Sequence, residues 1–90
     1  MKHLAIHVSG KVQGVFFRAS AKGKADELNI TGVVRNEKDG SVYIEAEGKD
    51  ENLKQFVAWC HQGPAKAEVA RVVVNEGTIR HFKTFEIKRW

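Results

Sequence analysis

Two glycines and an arginine within nine residues could together bind an anion. The segment Gly10 to Arg18 reads GKVQGVFFR and lies between a run with strand-like alternation and a run with helix-like spacing. Glycine lets the backbone bend tightly with no side chain in the way, so consecutive N–H groups can converge on one anion. The start of the following helix adds unpaired donors, and Arg18 adds a fixed charge with a planar fork of donors. The segment therefore predicts a phosphate-binding loop.

A second segment, GVVRNEKDGSVYIEAEG at residues 32–48, places Asn36 just before a predicted turn. A side-chain amide donates and accepts hydrogen bonds at once, which is what orienting an attacking water requires. By itself such an asparagine is an ordinary turn residue, and the combination with Arg18 and its loop is what favours a catalytic interpretation. The nearby Glu37 and Asp39 are interpreted as solvated turn residues, because an anion beside a phosphate would repel it.

Hydrophobic spacing predicts the elements that position these residues. Apolar side chains alternate in the predicted strands, recur every three or four residues in the predicted helices, and a turn falls at EKDG. Asp50 is the predicted N-cap of the second helix, and Gly63 ends it. The predicted order is a strand at 2–9, a helix at about 17–28, a strand from after Gly32 through Asn36, a strand at 42–47, the second helix between Asp50 and Gly63, a strand around 70–74 and a last strand around 85–87. It predicts an α+β, ferredoxin-like sandwich with an antiparallel sheet and both helices on one face.

The two segments together resemble the acylphosphatase family. The first agrees with that family's signature at Val8, Gly10, Val12, Gln13, Gly14, Val15, Phe17 and Arg18. The second agrees at Gly32, Val34, Arg35, Asn36, Gly40, Val42 and Gly48, but has Val33 where the family usually has an aromatic residue. Asn29 replaces a commoner glycine, and asparagine tolerates a left-handed backbone, so the first helix can still end there. The resemblance continues through residues 63–69 and 82–90 and covers essentially the whole chain.

The resemblance implies an enzyme that hydrolyses acyl phosphates to a carboxylate and inorganic phosphate, without a metal or other cofactor. It implies that Asn36 orients the water and that the product phosphate competes with the substrate. Gly10 is then a structural glycine of the loop. The implied phosphate ligands are the Arg18 guanidinium and the backbone N–H groups of Gln13, Gly14, Val15, Phe16, Phe17 and Arg18. With no other side chain acting on the water, its proton passes to the substrate's own phosphate oxygen, and the weakly basic carboxylate leaves unaided.

Composition limits the other functions. Ninety residues suffice for a single domain, expected to span 1–90, and the net charge of +4 comes from interspersed charges rather than from a block of lysines. We therefore expect a monomer whose partner is a small-molecule acyl phosphate and not a nucleic acid. No apolar run approaches the ~20 residues needed to cross a bilayer, and the start of the chain lacks the apolar block of a secretory signal. The expected location is cytoplasmic, with no membrane partner.

The remaining reactive side chains predict no second site. His3 and His7 share a strand face but are ~13 Å apart, too far to bind one metal ion. Cys60 is the single cysteine and is interpreted as a buried, inert thiol. Trp59 and Trp90 are assigned to packing.

The alternative is a non-catalytic phosphate- or RNA-binding module of the same fold. Ferredoxin-like sheets bind RNA through exposed aromatic residues on the open face, but the strand SVYIEAEG offers only Tyr43 among acids, which disfavours RNA. The presence of both Arg18 and Asn36 argues against a phosphate sensor without activity. The sequence identifies no pocket for the acyl part, so acetyl, carbamoyl, glyceryl and aspartyl phosphates all stay open.

Overall fold

The computed structural model describes residues 1–89, within which the chain forms two helices and five strands. In chain order these are β1 (Lys2–Lys11), α1 (Phe17–Glu27), β2 (Thr31–Asn36), β3 (Val42–Gly48), α2 (Asp50–Gln62), β4 (Glu68–Gly77) and β5 (Phe85–Ile87). Every predicted element is present in the predicted order, and the ferredoxin-like α+β fold is confirmed. None of the helices in this part of the chain is long and apolar enough to span a membrane.

The strands form one sheet in the order β4-β1-β3-β2-β5. Among the four longer strands, every adjacent pair is antiparallel, as predicted. The last strand departs from the predicted antiparallel sheet, because β5 pairs with β2 in parallel, with Gly32 opposite Phe85 and Val34 opposite Ile87. The cause is the segment 78–84, which leaves β4 at one edge of the sheet and crosses to the other edge at the end where β2 begins. The strand that follows must then run in the same direction as β2.

The core lies between one face of the sheet and the inner sides of both helices. The helical side chains fully buried there are Phe17, Ala21, Ala25, Leu53, Phe56 and Cys60. The predicted burial of Cys60 is confirmed, and this burial raises the pKa of its thiol to about 12. Its lack of reactivity stays a prediction. Trp59 packs its ring against Phe17, with 5.3 Å between centroids, and so has the predicted packing role. The corresponding prediction for Trp90 lies outside the described residues.

The helix ends depart from the predictions by about one residue. Asn29 has a φ of 56°, and Ile30 N donates to Ala25 O at 2.8 Å, so α1 does end through a left-handed asparagine. The prediction that Asp50 is the N-cap of α2 is wrong, because Lys49 occupies the cap position and makes no side-chain capping bond. Asp50 is the first helical residue, where the helix dipole favours an acid, and its carboxylate lies 3.1 Å from Lys2 Nζ.

Gly10 lies in β1 and not in the loop, which corrects its predicted role. The register between β1 and β4 shifts between Ser9 and Gly10, where Gly10 has a φ of 119°. A Cβ on this residue would lie 2.3 Å from the carbonyl oxygen of Glu68. The absence of a side chain therefore allows a β-bulge against β4 just before the chain enters the loop.

Candidate active site

Residues 12–16 connect β1 to α1 and contain two left-handed positions. Gly14 has a φ of 74°, and Phe16 has a φ of 64° at the N-cap of α1. None of the backbone N–H groups from Gly14 to Phe17 donates a hydrogen bond to another of residues 1–89. The first turn of α1 also has no side-chain cap and no acidic residue. The loop therefore presents a set of amides and a helix N-terminus with no internal acceptor, which is the electrostatic requirement for binding an anion.

Arg18 lies in the first turn of α1 and is fixed by the far end of the chain. Its Nη1 donates to the carbonyl oxygen of Lys88 at 3.2 Å. Lys88 in turn donates its backbone N–H to Val34 O at 2.8 Å, which extends the pairing of β5 with β2 beyond Ile87. A guanidinium has five N–H donors, so this single bond orients the group and leaves other donors for a ligand.

Asn36 is the last residue of β2 and lines the same cleft as Arg18. The cleft has a volume of about 330 Å³ and is lined by Val12, Gly14, Phe16, Phe17, Arg18, Ala19, Asn36, Ile87 and Arg89. Its lining among the described residues carries two guanidinium groups and no carboxylate. The structure thus brings together the two side chains that the sequence singled out, in a cleft whose charge suits an anionic ligand.

Two of the predicted phosphate-binding residues do not line the cleft. Val15 is 6% exposed and belongs to the hydrophobic core. Gln13 turns its side chain towards the hairpin between β2 and β3, where Nε2 donates to Glu37 O at 2.8 Å and to Ser41 O at 2.9 Å. Only their backbone N–H groups were predicted to bind phosphate, and these side-chain positions leave that prediction open.

The carboxylates near Asn36 lie in the turn, outside the cleft lining. Asp39 is exposed and accepts hydrogen bonds from the Ser41 hydroxyl at 2.6 Å and from Ser41 N at 2.9 Å, and these bonds lower the pKa of its carboxyl group. Glu37 is half-buried and lies 3.4 Å from Arg35 Nη2. Asp39 is therefore the solvated turn residue that was predicted. Glu37 lies in the turn as well, but it is half-buried and forms an ion pair with Arg35.

Sequence reasoning missed the contribution of residues 87–89. Ile87 and Arg89 line the cleft, and Lys88 fixes Arg18 through its carbonyl oxygen. Alternation from Phe85 through Ile87 could have placed Arg89 on the same side of the sheet as the core. It could not have revealed the neighbour, because only the parallel pairing with β2 brings this segment beside Asn36.

The open face of the sheet is less acidic than the sequence suggested. Glu45 and Glu47 are 8% and 1% exposed. His3 Nδ1 lies 2.7 Å from Glu47 Oε2, and Arg80 Nη1 donates to Glu45 Oε1 at 3.2 Å. The sequence predicted that the acids on β3 would disfavour RNA. This reason is wrong, because the carboxylates of Glu45 and Glu47 are both buried and paired. No group of three or more His, Cys, Asp or Glu side chains within residues 1–89 is arranged to bind a metal ion.

Comparisons with known proteins agree with this geometry. A sequence model of the acylphosphatase family matches residues 4–87. An acylphosphatase of Methylococcus capsulatus is 44% identical over 99% of this chain and 98% of its own length. One of Marinobacter nauticus is 55% identical over 77% of this chain and 75% of its own length. The crystal structure of acylphosphatase from Bacillus subtilis superposes with a TM-score of 0.96 at 34% identity, covering 99% of this chain and 100% of that one.

Proposed function

This chain belongs to the acylphosphatase family, and from that membership we propose how its cleft performs the reaction. The protein is an acyl phosphate hydrolase, which converts a carboxyl–phosphate anhydride into a carboxylate and inorganic phosphate. In our proposal the phosphate lies against the backbone N–H groups of residues 13–18 and the Arg18 guanidinium. Asn36 orients the attacking water.

The loop and Arg18 stabilise the charge of the transferring phosphoryl group. Negative charge spreads over three equatorial oxygens in the transition state, and donors that are already fixed around them need no reorganisation. The left-handed Gly14 and Phe16 and the uncapped start of α1 supply such donors. The bond from Arg18 Nη1 to the Lys88 carbonyl oxygen orients the guanidinium.

Asn36 acts on the nucleophile. Its amide can donate to one partner and accept from the water at the same time, but it cannot act as a general base. The water proton therefore passes to a phosphate oxygen of the substrate, and the carboxylate departs without an acid because it is weakly basic. No metal ion takes part in this scheme.

The observation that supports the proposal most is that Arg18 and Asn36 line one cleft together with Gly14, Phe16 and Phe17 of the loop. These residues come from two separate segments of the chain. An anion-binding loop alone would suit a phosphate sensor, whereas the additional asparagine supplies a group for the water.

Hydrolysis of acetyl phosphate by purified protein in the presence of a chelator tests the proposal. We expect turnover that inorganic phosphate inhibits. The variant Arg18→Ala should lose turnover and phosphate inhibition together, since it lacks the cation. Asn36→Ala should lose on the order of 10²-fold in kcat and still be inhibited by phosphate, since only the water loses its partner. The proposal fails if Asn36→Ala retains full kcat, or if Arg18→Ala binds phosphate as the parent does.

We further propose that the chain acts as a single domain, 1–90, and as a monomer in the cytoplasm, on a small-molecule substrate and without nucleic acid. The family match over residues 4–87 supports the single domain. Sedimentation equilibrium tests the monomer. Filter binding of RNA over a salt series tests the last point, and tight binding that weakens steeply with salt would contradict it.

A further inference from the structure

The Gln13 side chain joins the phosphate-binding loop to the hairpin that carries Asn36. Its Nε2 donates one hydrogen to Glu37 O at 2.8 Å and the other to Ser41 O at 2.9 Å. The two acceptors are separated from Gln13 by 24 and 28 residues along the chain. A primary amide has two N–H donors, so both side-chain donors of Gln13 are used in bonds to the hairpin.

The acceptors close the turn that follows Asn36. Glu37 donates its backbone N–H to Ser41 O at 2.8 Å, and Gly40 donates to Glu37 O at 3.2 Å. The carbonyl oxygens of Glu37 and Ser41 therefore each accept one bond from within the turn and one from Gln13. The first of these acceptors belongs to the residue directly after Asn36, so a shift of this link moves the end of β2.

We propose that Gln13 is a positioning residue for catalysis: it sets the distance between the phosphate-binding loop and Asn36. Its side chain does not line the cleft. It acts through Asn36, by fixing the residue's backbone against the loop that binds the phosphate. The role of the Gln13 side chain in positioning Asn36 is thus distinct from the role of the Gln13 backbone N–H in binding phosphate.

The chemistry of the reaction makes this distance matter. The water and the phosphorus atom must approach in line, and a misplacement of about 1 Å can cost 10²-fold in rate. The two groups that must be aligned belong to segments that are distant in sequence. Gln13 is a side chain of one segment that bonds to the backbone of the other.

The test rests on the proposed role of Asn36 and uses Gln13→Met, which keeps the length of the side chain and removes both donors. We expect kcat for acetyl phosphate to fall on the order of 10-fold or more, because the water is misaligned. Inhibition by inorganic phosphate should stay within about twofold of the parent, because the loop amides and Arg18 are unchanged. Circular dichroism and inhibition by phosphate establish that the variant is folded. If Gln13→Met does not fold, the same measurements are made on Gln13→Ala.

A double-mutant cycle with Asn36→Ala separates positioning from a general structural effect. If Gln13 acts through Asn36, Gln13→Met should lower kcat by no more than about twofold in the Asn36→Ala background. An undiminished loss in that background overturns the inference, as does a parent-like kcat for Gln13→Met alone. A parent-like kcat for Asn36→Ala instead contradicts the proposed function itself, so the two failures are distinguishable.

Asp39→Ala is the matched control, because it loosens the same turn from within. The variant loses the bonds that Asp39 Oδ1 accepts from Ser41 and keeps both bonds from Gln13. We expect kcat within about twofold of the parent, as for a surface substitution that leaves the site in place. A loss as large as that of Gln13→Met, with the same dependence on Asn36, would assign the positioning to the turn alone and overturn the inference.

Discussion

The Arg18 side chain extends from the first turn of α1 to the carbonyl oxygen of Lys88, so its charge has a fixed place in the cleft. A flexible surface arginine would have to lose side-chain entropy each time it bound an anion. Here part of that ordering has taken place on folding. The planar fork can keep this bond to the backbone and still offer parallel donors to a phosphate.

Arg18→Lys should therefore be a severe substitution although it keeps the charge. A lysine has a single ammonium group, which cannot bond to Lys88 O and bind two phosphate oxygens with the same geometry. We expect kcat/KM for acetyl phosphate to fall by about 10²-fold or more, as when a fixed donor is removed from a transition-state site. Arg71→Lys, on an exposed position of β4, is the control and should match the parent. Comparable activity of the two variants would contradict the role of the fork.

The Cys60 thiol should be unreactive in the native protein. Burial raises its pKa to about 12, and thiolate is the reactive form. Iodoacetamide at pH 8 should leave native protein unmodified over hours by mass spectrometry. Protein in denaturant should be fully alkylated, because an exposed thiol has a pKa of about 8.5. Rapid modification of the folded protein would show that this side of α2 opens readily.

At the scale of elements, two glycines of similar chemistry have opposite structural roles. Gly10 has a φ of 119°, and a Cβ there would lie 2.3 Å from Glu68 O of β4. Gly23 lies on the exposed side of α1, and a Cβ there would meet no atom within 4 Å. Gly10 allows β1 and β4 to approach each other. Gly23 makes the unfolded chain more flexible, which lowers the stability of α1.

Alanine substitutions should shift the free energy of unfolding in opposite directions. Gly10→Ala should lower it by more than about 2 kcal/mol, because strand β4 must move and the backbone is strained. Gly23→Ala should raise it by about 1 kcal/mol, the difference in helix propensity. Urea unfolding followed by circular dichroism measures both. A neutral Gly10→Ala would mean that the bulge against β4 is not required.

The elements themselves were predictable because their signals are local. Alternation and three-to-four spacing depend only on neighbouring residues, and they located every helix and strand. The direction of β5 was not predictable in this way, since it depends on where the segment 78–84 crosses the sheet. The position of Gly10 in β1 rather than in the loop likewise depends on β4, which is about 60 residues further along the chain.

At the scale of the whole molecule, Glu47 connects the segment 78–84 to the open face of the sheet. Its carboxylate accepts hydrogen bonds from Arg80 N and from Phe82 N, and it lies beside His3. Burial alone would raise the pKa of this carboxyl group, but the bonds from Arg80, His3 and Phe82 outweigh burial and lower it from 4.5. Glu45 Oε1 also lies near this histidine, 3.2 Å from His3 Nε2. The hydrogen bonds to Glu47 hold the segment 78–84 against the sheet, and this segment determines where β5 begins.

Glu47→Gln should destabilise the protein in a pH-dependent way. A carboxyl group whose pKa is lowered by folding contributes stability above its unfolded pKa, and this is lost as the pH falls through the folded value. We expect a loss of about 2 kcal/mol at pH 7, because the backbone N–H groups of Arg80 and Phe82 lose a charged acceptor. The difference from the parent should shrink as the pH falls below 4.5 and passes through the lowered pKa of the folded state. Urea unfolding at a series of pH values measures it, and a difference that is constant with pH would contradict the assignment to Glu47.

The site was predictable only in part, and for the same reason as the fold. Arg18 and Asn36 were found because each lies in a segment with a recognisable motif. The Lys88 carbonyl oxygen and the Arg89 side chain have no such signal, because their place depends on pairing between strands that are about 50 residues apart. The side-chain bonds of Gln13 also cross between distant segments, and a spacing rule cannot find them.

The cleft brings Asn36 and the start of α1 together with Ile87 and Arg89, which lie about 70 residues further along the chain than Arg18. During refolding from denaturant, the cleft cannot be complete until β5 has docked beside β2. Regain of hydrolysis therefore requires that β5 has docked. The time course of recovered activity therefore measures how fast β5 reaches its place beside β2.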